Sequence, residues 1–336
     1  MAFQSTVTSG SVTDITAAQY NALQTVVGNI LGTGSGNTGY GQTVTSAQVT
    51  SVTDTIDHSH LNNLKTDLDD ITYHQVNAQA KGMQQTSGVA ASNLTQVNTG
   101  NIITAGNPSV EDNSTNTFND YQQAVDNIDG DARFTLSAAQ ATTATLTNGT
   151  KTHTTDWKGN LSTEVTLTWE SADYRRYFFN AGGSISIVSA LSGGSNANNT
   201  TKYYNWINQL DETITFFHNR TESSATNGSP EAARGNYQLT TAYQQIYVRT
   251  GGTDLNYSEN RYIISAKAPA ATQIVFKIEW QDLNQPGGFG EDEYVFSNSH
   301  ITPSTGGSLL LTIGETRATG SYVNTAGPSC NINNIS

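Results

Sequence analysis

The stretch TEVTLTWESADYRRYFFNAGGSISIVSAL, residues 163–191, predicts a strand, a short helix and a second strand in succession. Apolar residues alternate with polar ones in its first part, at Val165, Leu167 and Trp169, which is the pattern of a half-buried strand. The same alternation returns after the helix, from Ile185 onward. The stretch therefore indicates an α+β fold, with a β-rich sheet or sandwich domain that carries one or two helices.

The middle of this stretch has the signals of a helix with defined ends. Ser171 is a suitable N-cap, and Asp173 places a carboxylate in the first turn, where it complements the helix dipole. Tyr174, Tyr177 and Phe178 share one helical face because they are three and four residues apart. The sequence Asn-Ala-Gly-Gly then ends the helix, since glycine readily adopts the left-handed cap conformation. No reaction is evident in this segment.

The same segment carries a resemblance to a known class of proteins. The run DYRRYFFNAGG, followed by an alternating strand, resembles a segment of virion structural proteins of tailed bacteriophages, notably those of marine cyanobacteria. The opening sequence ITAAQYNALQ, with LGTGSG and YGQ after it, is similar to the amino-terminal part of the same kind of protein. The resemblance implies a particle component and brings no catalytic residue. The structural motif comprises Asp173, Tyr174, Arg175, Arg176, Tyr177, Phe178, Phe179, Asn180, Gly182 and Gly183, and the four residues from Arg175 to Phe178 are our candidates for a hinge.

The composition indicates a folded, acidic protein with a neutral polar surface. Only 13% of the 336 residues are charged and 35% are hydrophobic, but 4 Trp, 15 Tyr and 10 Phe are too many aromatic residues for a disordered chain. Threonine, asparagine and glycine fill the deficit, which is typical of β-rich virion or extracellular proteins. The formal net charge of −13 argues against a nucleic-acid partner and disfavours binding to an anionic membrane surface.

The sequence shows no pattern for membrane insertion, secretion or an internal disulfide. No apolar run approaches the ~18 residues of a membrane span. The amino terminus has no secretory pattern, and Cys330 is the single cysteine. We therefore expect synthesis in the host cytoplasm. The resemblance implies a final location in the virion, and no cofactor is expected.

Two amphipathic helices are predicted near the amino terminus, one from residue 14 or 16 to 31 and one over 57–76. A helical hairpin of this size cannot bury both apolar stripes well, so we expect it to dock on a copy of the chain or on a neighbouring virion protein. Ordinary packing within the chain is the alternative for each residue. The predicted subunit-interface residues are Tyr20, Leu23, Val27, Leu61, Leu64 and Leu68.

The sequence divides into four expected parts. They are an arm and helical hairpin (1–76), a polar linker with a helix near 117–128 (77–150), the β-rich α+β domain (151–315) and an extended carboxy-terminal tail (316–336). Inside the β-rich domain, the aromatic face of residues 202–218 predicts a helix. Strands are predicted over 237–248, 261–267, 273–281, 293–297 and 308–315.

Several patterns resemble functional sites, but none predicts catalysis. The glycine-rich loop 32–41 lacks the Gly-Lys-Ser/Thr ending of a phosphate-binding loop. The three histidines His58, His60 and His74 suggest a metal site, although solvated or interfacial side chains are the simpler interpretation. Hydrolysis of a polysaccharide would need two carboxylates about 5 to 10 Å apart. The candidate acids are Asp211, Glu212, Glu279, Asp282, Glu291, Asp292 and Glu293, of which Glu279 and Asp282 flank Trp280 as in many carbohydrate-binding surfaces and many strand ends.

Two classes of function remain. The first is a structural subunit of the tail, neck or baseplate that assembles as a symmetric homo-oligomer and is not an enzyme. The second is a tail fibre or receptor-binding protein that recognises a host surface glycan. A capsid-decorating protein is the lesser alternative.

Overall fold

The chain folds into two units, each built from separate pieces of the sequence. The computed structural model describes residues 15–50, 56–75, 94, 97, 118–192, 200–224, 229–230, 233–251, 257–283, 295 and 307–336. Unit 1 comprises the described parts of Met1–Thr142, Arg176–Gly183 and Arg317–Thr325, and unit 2 comprises those of Thr143–Arg175, Ser184–Thr316 and Ala326–Ser336. The α+β class is confirmed, because helices precede a region of two antiparallel sheets.

Unit 1 contains three helices that match the predicted ones to within about two residues. α1 (Ala17–Leu31) begins after Thr16 with a capping box. The Thr16 hydroxyl accepts a hydrogen bond from the backbone N–H of Gln19, and Gln19 Oε1 accepts one from the backbone N–H of Thr16. α2 (His58–His74) begins with a capping box of the same kind. α3 (Phe118–Ile128) carries an aromatic and aliphatic face.

The apolar faces of α1, α2 and α3 together form the core of unit 1. α3 packs against both of the other helices, with Phe118, Tyr121 and Val125 fully buried. Ala318 and Val323, from the carboxy-terminal piece of the unit, complete this core. The helical hairpin that the sequence left without a covering element is thus covered by other parts of the same chain.

Unit 2 contains a five-stranded and a six-stranded sheet, and its strands are antiparallel. Across the first sheet lie β1 (Ala141–His153), β10 (Ser308–Ala318), β3 (Ser184–Ser192), β4 (Thr213–Phe216) and β5 (Thr221–Ser223). Across the second lie β11 (Ser329–Ile332), β2 (Leu161–Thr168), β9 (Gln273–Gln281), β8 (Arg261–Lys267), β7 (Gln244–Thr250) and β6 (Ser229–Pro230).

The two sheets pack face to face as a sandwich, because one side of each central strand is apolar. Buried residues alternate with less buried ones along β2 and β8. Phe216 of β4 meets Phe276 of β9 with ring centroids 5.3 Å apart. The Ser189 hydroxyl of β3 lies 3.0 Å from the Tyr262 hydroxyl of β8. The expected sheet or sandwich is therefore a sandwich.

The stretch of residues 163–191 folds as predicted into β2, α4 (Ala172–Asn180) and β3. At the start of α4, the Ser171 hydroxyl accepts a hydrogen bond of 3.1 Å from the Tyr174 amide. Gly182 follows the helix with a φ of 79°, the left-handed conformation expected of the glycine stop. The two strands of this stretch join different sheets of the sandwich.

The helix predicted over 202–218 is correct only in its first part. α5 covers Thr200–Leu210, and β4 follows three residues later. Ile214 and Phe216 are both fully buried at a spacing of two, so the period of a strand replaces the period of a helix there. The strand predicted from residue 237 begins only at Gln244, after a short 3-10 turn at Asn236–Gln238.

The carboxy-terminal residues, expected to form an extended tail from residue 316, belong to the fold. β10 continues to Ala318, and β11 pairs antiparallel with β2, where Cys330 lies opposite Leu167. Ser336 and Ser162 exchange two backbone hydrogen bonds of 2.9 and 3.1 Å. The tail therefore forms one edge of the six-stranded sheet.

The predicted linker over 77–150 is only partly described. Its first half lies mostly outside the described residues, and its second half contains α3 and most of β1. The strand predicted over 293–297 also lies outside the described residues, apart from Val295.

Candidate functional site

A buried ion pair lies in unit 2, where α5 contacts one end of the six-stranded sheet. The Nζ atom of Lys202 on α5 is 2.6 Å from Oδ2 of Asp282, which directly follows β9, and the two side chains are 0% and 1% exposed. Buried charges lose their hydration, and only close pairing offsets that cost. Removal of one partner from such a pair costs about 3–5 kcal/mol. The pair therefore fixes α5 on the sheet.

Two tryptophans are connected to this ion pair, Trp206 through its helix α5 and Trp157 through Gly159. The ring of Trp157 lies 4.8 Å from that of Trp206 on α5, and both residues are fully buried. The Trp157 indole donates a 2.8 Å hydrogen bond to the Gly159 carbonyl. The Gly159 amide in turn donates to Asp282 Oδ2 at 3.3 Å. One carboxylate oxygen of Asp282 thus receives both the ammonium group and a backbone N–H.

A second buried acid, Glu212, follows the end of α5. It accepts hydrogen bonds from the Tyr247 hydroxyl and, at 2.5 Å, from the Ser223 hydroxyl. Arg249 Nη1 lies 3.4 Å from Glu212 Oε1. Burial, together with the hydrogen bond to Glu212 and its negative charge, raises the pKa of Tyr247 well above its ordinary value. Tyr247 is therefore a neutral hydrogen-bond donor over the physiological pH range.

Strand register brings these groups to the same end of the sandwich. Tyr262 is opposite Trp280 in the β8–β9 ladder and opposite Arg249 in the β7–β8 ladder, so all three lie on the inner face. Two positions beyond the Tyr262–Trp280 pair, Asn260 comes next to Asp282, because Arg261 pairs with Gln281 between them. We call this group the α5 cluster and define it as Lys202, Trp206, Gln209, Arg249, Asn260, Trp280 and Asp282.

The α5 cluster connects a helix to a sheet, and the chemistry of its members suits that role. Its two basic side chains each form an ion pair with an acid, Lys202 with Asp282 and Arg249 with the neighbouring Glu212.

In the described ranges, no group of three or more His, Cys, Asp or Glu side chains has the arrangement of a metal site. No helix in the described part of the chain has both the length and the apolarity to cross a membrane.

The two acids that flank Trp280 do not form the pair that glycoside hydrolysis requires. Glu279 alternates with the buried residues Ile278 and Trp280, and it pairs with Lys277 at 3.0 Å. Asp282 is buried on the other side and is held by Lys202. Of the remaining candidates, Asp211 is exposed and Glu212 is buried, while 291–293 lie outside the described residues.

The six residues predicted at a subunit interface lie in the core of unit 1. None of the six side chains has exposed surface, so none is available to a second chain in the fold as described. The alternative stated from sequence, packing within the chain, accounts for all of them. The reason is α3, which supplies the covering face that two helices lack. These residues are Tyr20, Leu23, Val27, Leu61, Leu64 and Leu68.

Arg175, in the structural motif, anchors the first half of α4 in unit 2. Its Nε and Nη2 atoms donate to Asn236 Oδ1 at 2.8 and 2.6 Å. Its Nη1 atom donates to three backbone carbonyls near the start of β9, at 3.0 to 3.3 Å. Burial lowers the pKa of Arg175 to about 10. Asp173 and the half-exposed Tyr174 lie on the outer side of this first half.

The second half of the motif makes its contacts within unit 1. Arg176 donates to the carbonyls of Thr33 and Thr38, at 2.7 and 2.5 Å, and its guanidinium lies 4.7 Å from the centre of the Tyr177 ring. Asn180 also donates to the Thr38 carbonyl, at 2.8 Å. Phe178 and Phe179 are fully buried, and Gly183 is in close contact with the Phe178 ring. Whether these residues act as a hinge stays a prediction.

The three histidines have separate local roles. His60 lies 2.7 Å from Asp57 in the capping box of α2, and His58 starts the same helix. His74 is buried at the other end of α2, with its ring 4.8 Å from that of Tyr40. Burial lowers the pKa of His74 to about 4.

Sequence reasoning missed Lys202, Arg249 and Asn260. Lys202 carried a signal, because it is one helical turn before Trp206 on the apolar face of the predicted helix. A charge on an apolar face requires a buried partner, but the sequence does not say that this partner is Asp282. Asn260 and Arg249 have no signal that distinguishes them from ordinary strand-end residues.

A scan against protein-family models found no match to this chain, and searches of curated proteins and of solved structures found no significant similarity.

Proposed function

We propose that this chain is a structural, non-enzymatic subunit of a tailed-phage virion, in the tail, neck or baseplate region, and that it assembles as a symmetric homo-oligomer. The class of particle comes from the resemblance of residues 173–183 and of the amino-terminal segment. The partners are copies of the chain and neighbouring virion proteins. The place of action is the virion, after synthesis in the host cytoplasm.

The observation that carries assembly is strand β1. It is the terminal strand of its sheet and has 13 residues, whereas the other terminal strands have two to four. Its outer edge pairs with none of the described strands. A free strand edge presents unpaired N–H and C=O groups and is a template for another strand.

Burial along β1 supports the same conclusion. Only Leu146 and Gly149 are buried, and most of the other side chains are exposed on both faces of the strand. Ordering a residue costs about 1–2 kcal/mol of backbone entropy, and one leucine offsets little of that cost. Lys151 is the single charge before His153, so the edge carries almost none of the charge that protects edges from pairing. A second chain along this edge would supply the missing hydrogen bonds.

The experiment is the mass of the purified chain by light scattering over a dilution series. We expect a discrete oligomer for the native chain and a monomer for the double variant Thr145→Lys, Thr147→Lys, which puts two charges on the exposed edge. The matched control is Gln245→Lys, Thr250→Lys, at exposed positions of β7, which has neighbours on both sides. A native monomer at every concentration, or an oligomer unchanged by the β1 variant, would contradict the proposed assembly.

A glycan-recognition role is the second candidate, and one observation favours it. Tyr73 and Tyr322 in unit 1 stack with ring centroids 4.9 Å apart, yet they are 53% and 37% exposed. Exposed aromatic faces suit sugar rings because they combine an apolar surface with a polar hydroxyl group. A native monomer that binds host polysaccharide, and loses this binding in Tyr73→Ala, would favour recognition over assembly. A capsid-decorating position would keep the oligomer and change only its place on the particle.

A further inference from the structure

Seven buried side-chain atoms in the α5 cluster have no hydrogen-bond partner among the described residues. Leaving such an atom unpaired costs about 1–3 kcal/mol, so most buried polar atoms in native proteins are bonded to protein or to ordered water. Asn260 is the clearest case, because it is 0% exposed and both atoms of its amide are unpaired. The seven atoms are Trp206 Nε1, Gln209 Oε1, Arg249 Nη1, Asn260 Nδ2 and Oδ1, Trp280 Nε1 and Asp282 Oδ1; of these, Arg249 Nη1 has the ion pair with Glu212 but no hydrogen bond.

These atoms belong to residues that meet at one end of the sandwich. Trp280 is on the inner face of β9, and the buried residues Asn260 and Asp282 directly adjoin the paired ends of β8 and β9, where Arg261 is opposite Gln281. α5 contacts this end at Asp282 through Lys202 and at the Gly251 carbonyl through Asn205, with a hydrogen bond of 2.9 Å. The Gly251 amide donates to the Asn260 carbonyl, which ties β7 to the same place.

The unpaired atoms define the kind of molecule that would satisfy them. Four of them are on donor groups and three are acceptors, so the partner must both donate and accept hydrogen bonds. The charges nearby balance, because Lys202 and Arg249 are paired with Asp282 and Glu212. An ion would disturb this balance at a high cost in a buried site. A neutral hydroxyl-bearing molecule fits, and water is the smallest one.

We propose that internal water molecules bind between α5 and the ends of β7, β8 and β9, and that they bridge Asn260, Trp280 and Asp282 to α5. Buried waters of this kind make about three hydrogen bonds each and are costly to remove. They would act as part of the structure and hold α5 on the sheet beside the Lys202–Asp282 pair. This inference is independent of the proposed function.

The first test uses the four indole N–H signals of the ¹⁵N-tryptophan-labelled chain. We expect short-mixing-time NMR cross-peaks to water at the indoles of Trp206 and Trp280. The control is Trp157, which is equally buried but donates its indole N–H to Gly159, so we expect no cross-peak there. Conservative Trp→Phe variants assign the signals. Absence of the water contact at either Trp206 or Trp280, or an equal contact at Trp157, would overturn the proposal.

The second test is the variant Asn260→Leu. The leucine side chain has nearly the same shape as that of asparagine but carries no polar atoms. If water bridges Asn260, the folding equilibrium constant should fall by roughly tenfold, because the waters lose a partner. If the site is dry, the same variant removes two unpaired polar atoms, and the folding equilibrium constant should stay equal to that of the native chain or rise. Asn331→Leu, at an exposed position of β11, is the control and should change little. A crystal structure with a saccharide against Asn260 and Trp280 would overturn water as the occupant.

Discussion

Single residues in both units carry costs that the fold must offset, and His74 is the simplest example. Its ring is buried beside Tyr40, and burial lowers its pKa from 6.5 to about 4. As the pH falls below 6.5, His74 is therefore protonated at a higher pH in the unfolded chain than in the folded chain. Stability from this residue is complete above pH 6.5 and is lost as the pH falls toward 4.

We predict that unit 1 loses about 2 kcal/mol of stability between pH 7 and pH 5 through His74. The variant His74→Phe keeps an aromatic ring against Tyr40 and should remove this pH dependence. Urea unfolding at the two pH values measures the difference. His58→Gln, at the start of the same helix, is the control and should retain the native profile. Equal pH dependence in the native chain and His74→Phe would show that other groups cause it.

Arg175 is a residue whose shape matters more than its charge. Its guanidinium group makes five hydrogen bonds to Asn236 and to backbone carbonyls, a fork that lysine cannot reproduce. Arg175→Lys should lower the free energy of unfolding by about 2–4 kcal/mol, measured by urea denaturation. Arg220→Lys is the matched control, since the side chains of Arg220 and its partner Glu222 are 41% and 53% exposed, and it should change stability by less than about 0.5 kcal/mol. Similar losses in the two variants would contradict the anchoring role.

At the scale of the elements, β11 shows that the last residues contribute to the sheet. Cys330 is buried opposite Leu167, and burial raises its pKa to about 11. We predict that Cys330→Asp lowers stability by about 2–4 kcal/mol, because it buries an unpaired charge. The adjacent variant Asn331→Asp adds the same charge at an exposed position and should have little effect. Thermal unfolding of the two variants makes the comparison, and equal melting temperatures would mean that β11 leaves the sheet at little cost.

The elements that the sequence predicts well are those with a single clear period. β8 and β9 match their predicted bounds, since β8 alternates along its whole length and β9 alternates from Phe276 onward in the manner of half-buried strands. The helix prediction was wrong for the segment after α5 because the apolar spacing there is ambiguous. Ile214 and Phe217 have the three-residue spacing of a helix, whereas Ile214 and Phe216 have the two-residue spacing of a strand. β1 could not be predicted, because its side chains are exposed on both faces and leave no alternation to detect.

The candidate site was less accessible to sequence reasoning than the fold. Lys202 and Asp282 are far apart in sequence, and their pairing depends on how α5 meets the sheet. The apolar stripes of α1 and α2 were visible in the sequence, but α3 lies beyond a polar segment. We therefore expected another chain to cover these stripes, whereas α3 covers them in the structure. Sequence pattern shows that a face must be covered, and only tertiary structure shows what covers it.

For the molecule as a whole, the proposed function requires assembly through β1. The division into two units from interleaved pieces leaves the carboxy-terminal residues in both, so no linear cut reproduces it. With the helical stripes buried inside unit 1, the long edge of β1 is the surface that we propose for self-association.

Amide hydrogen exchange of residues 143–152 at high and low protein concentration is the direct test of pairing through β1. Pairing of β1 with another chain would protect the amides on its outer edge, which are otherwise free of described strand partners. We predict stronger protection at high concentration and loss of that gain in the Thr145→Lys, Thr147→Lys variant. An oligomer by light scattering with β1 amides that exchange equally fast at both concentrations would contradict the account, because the chain would then associate through another surface.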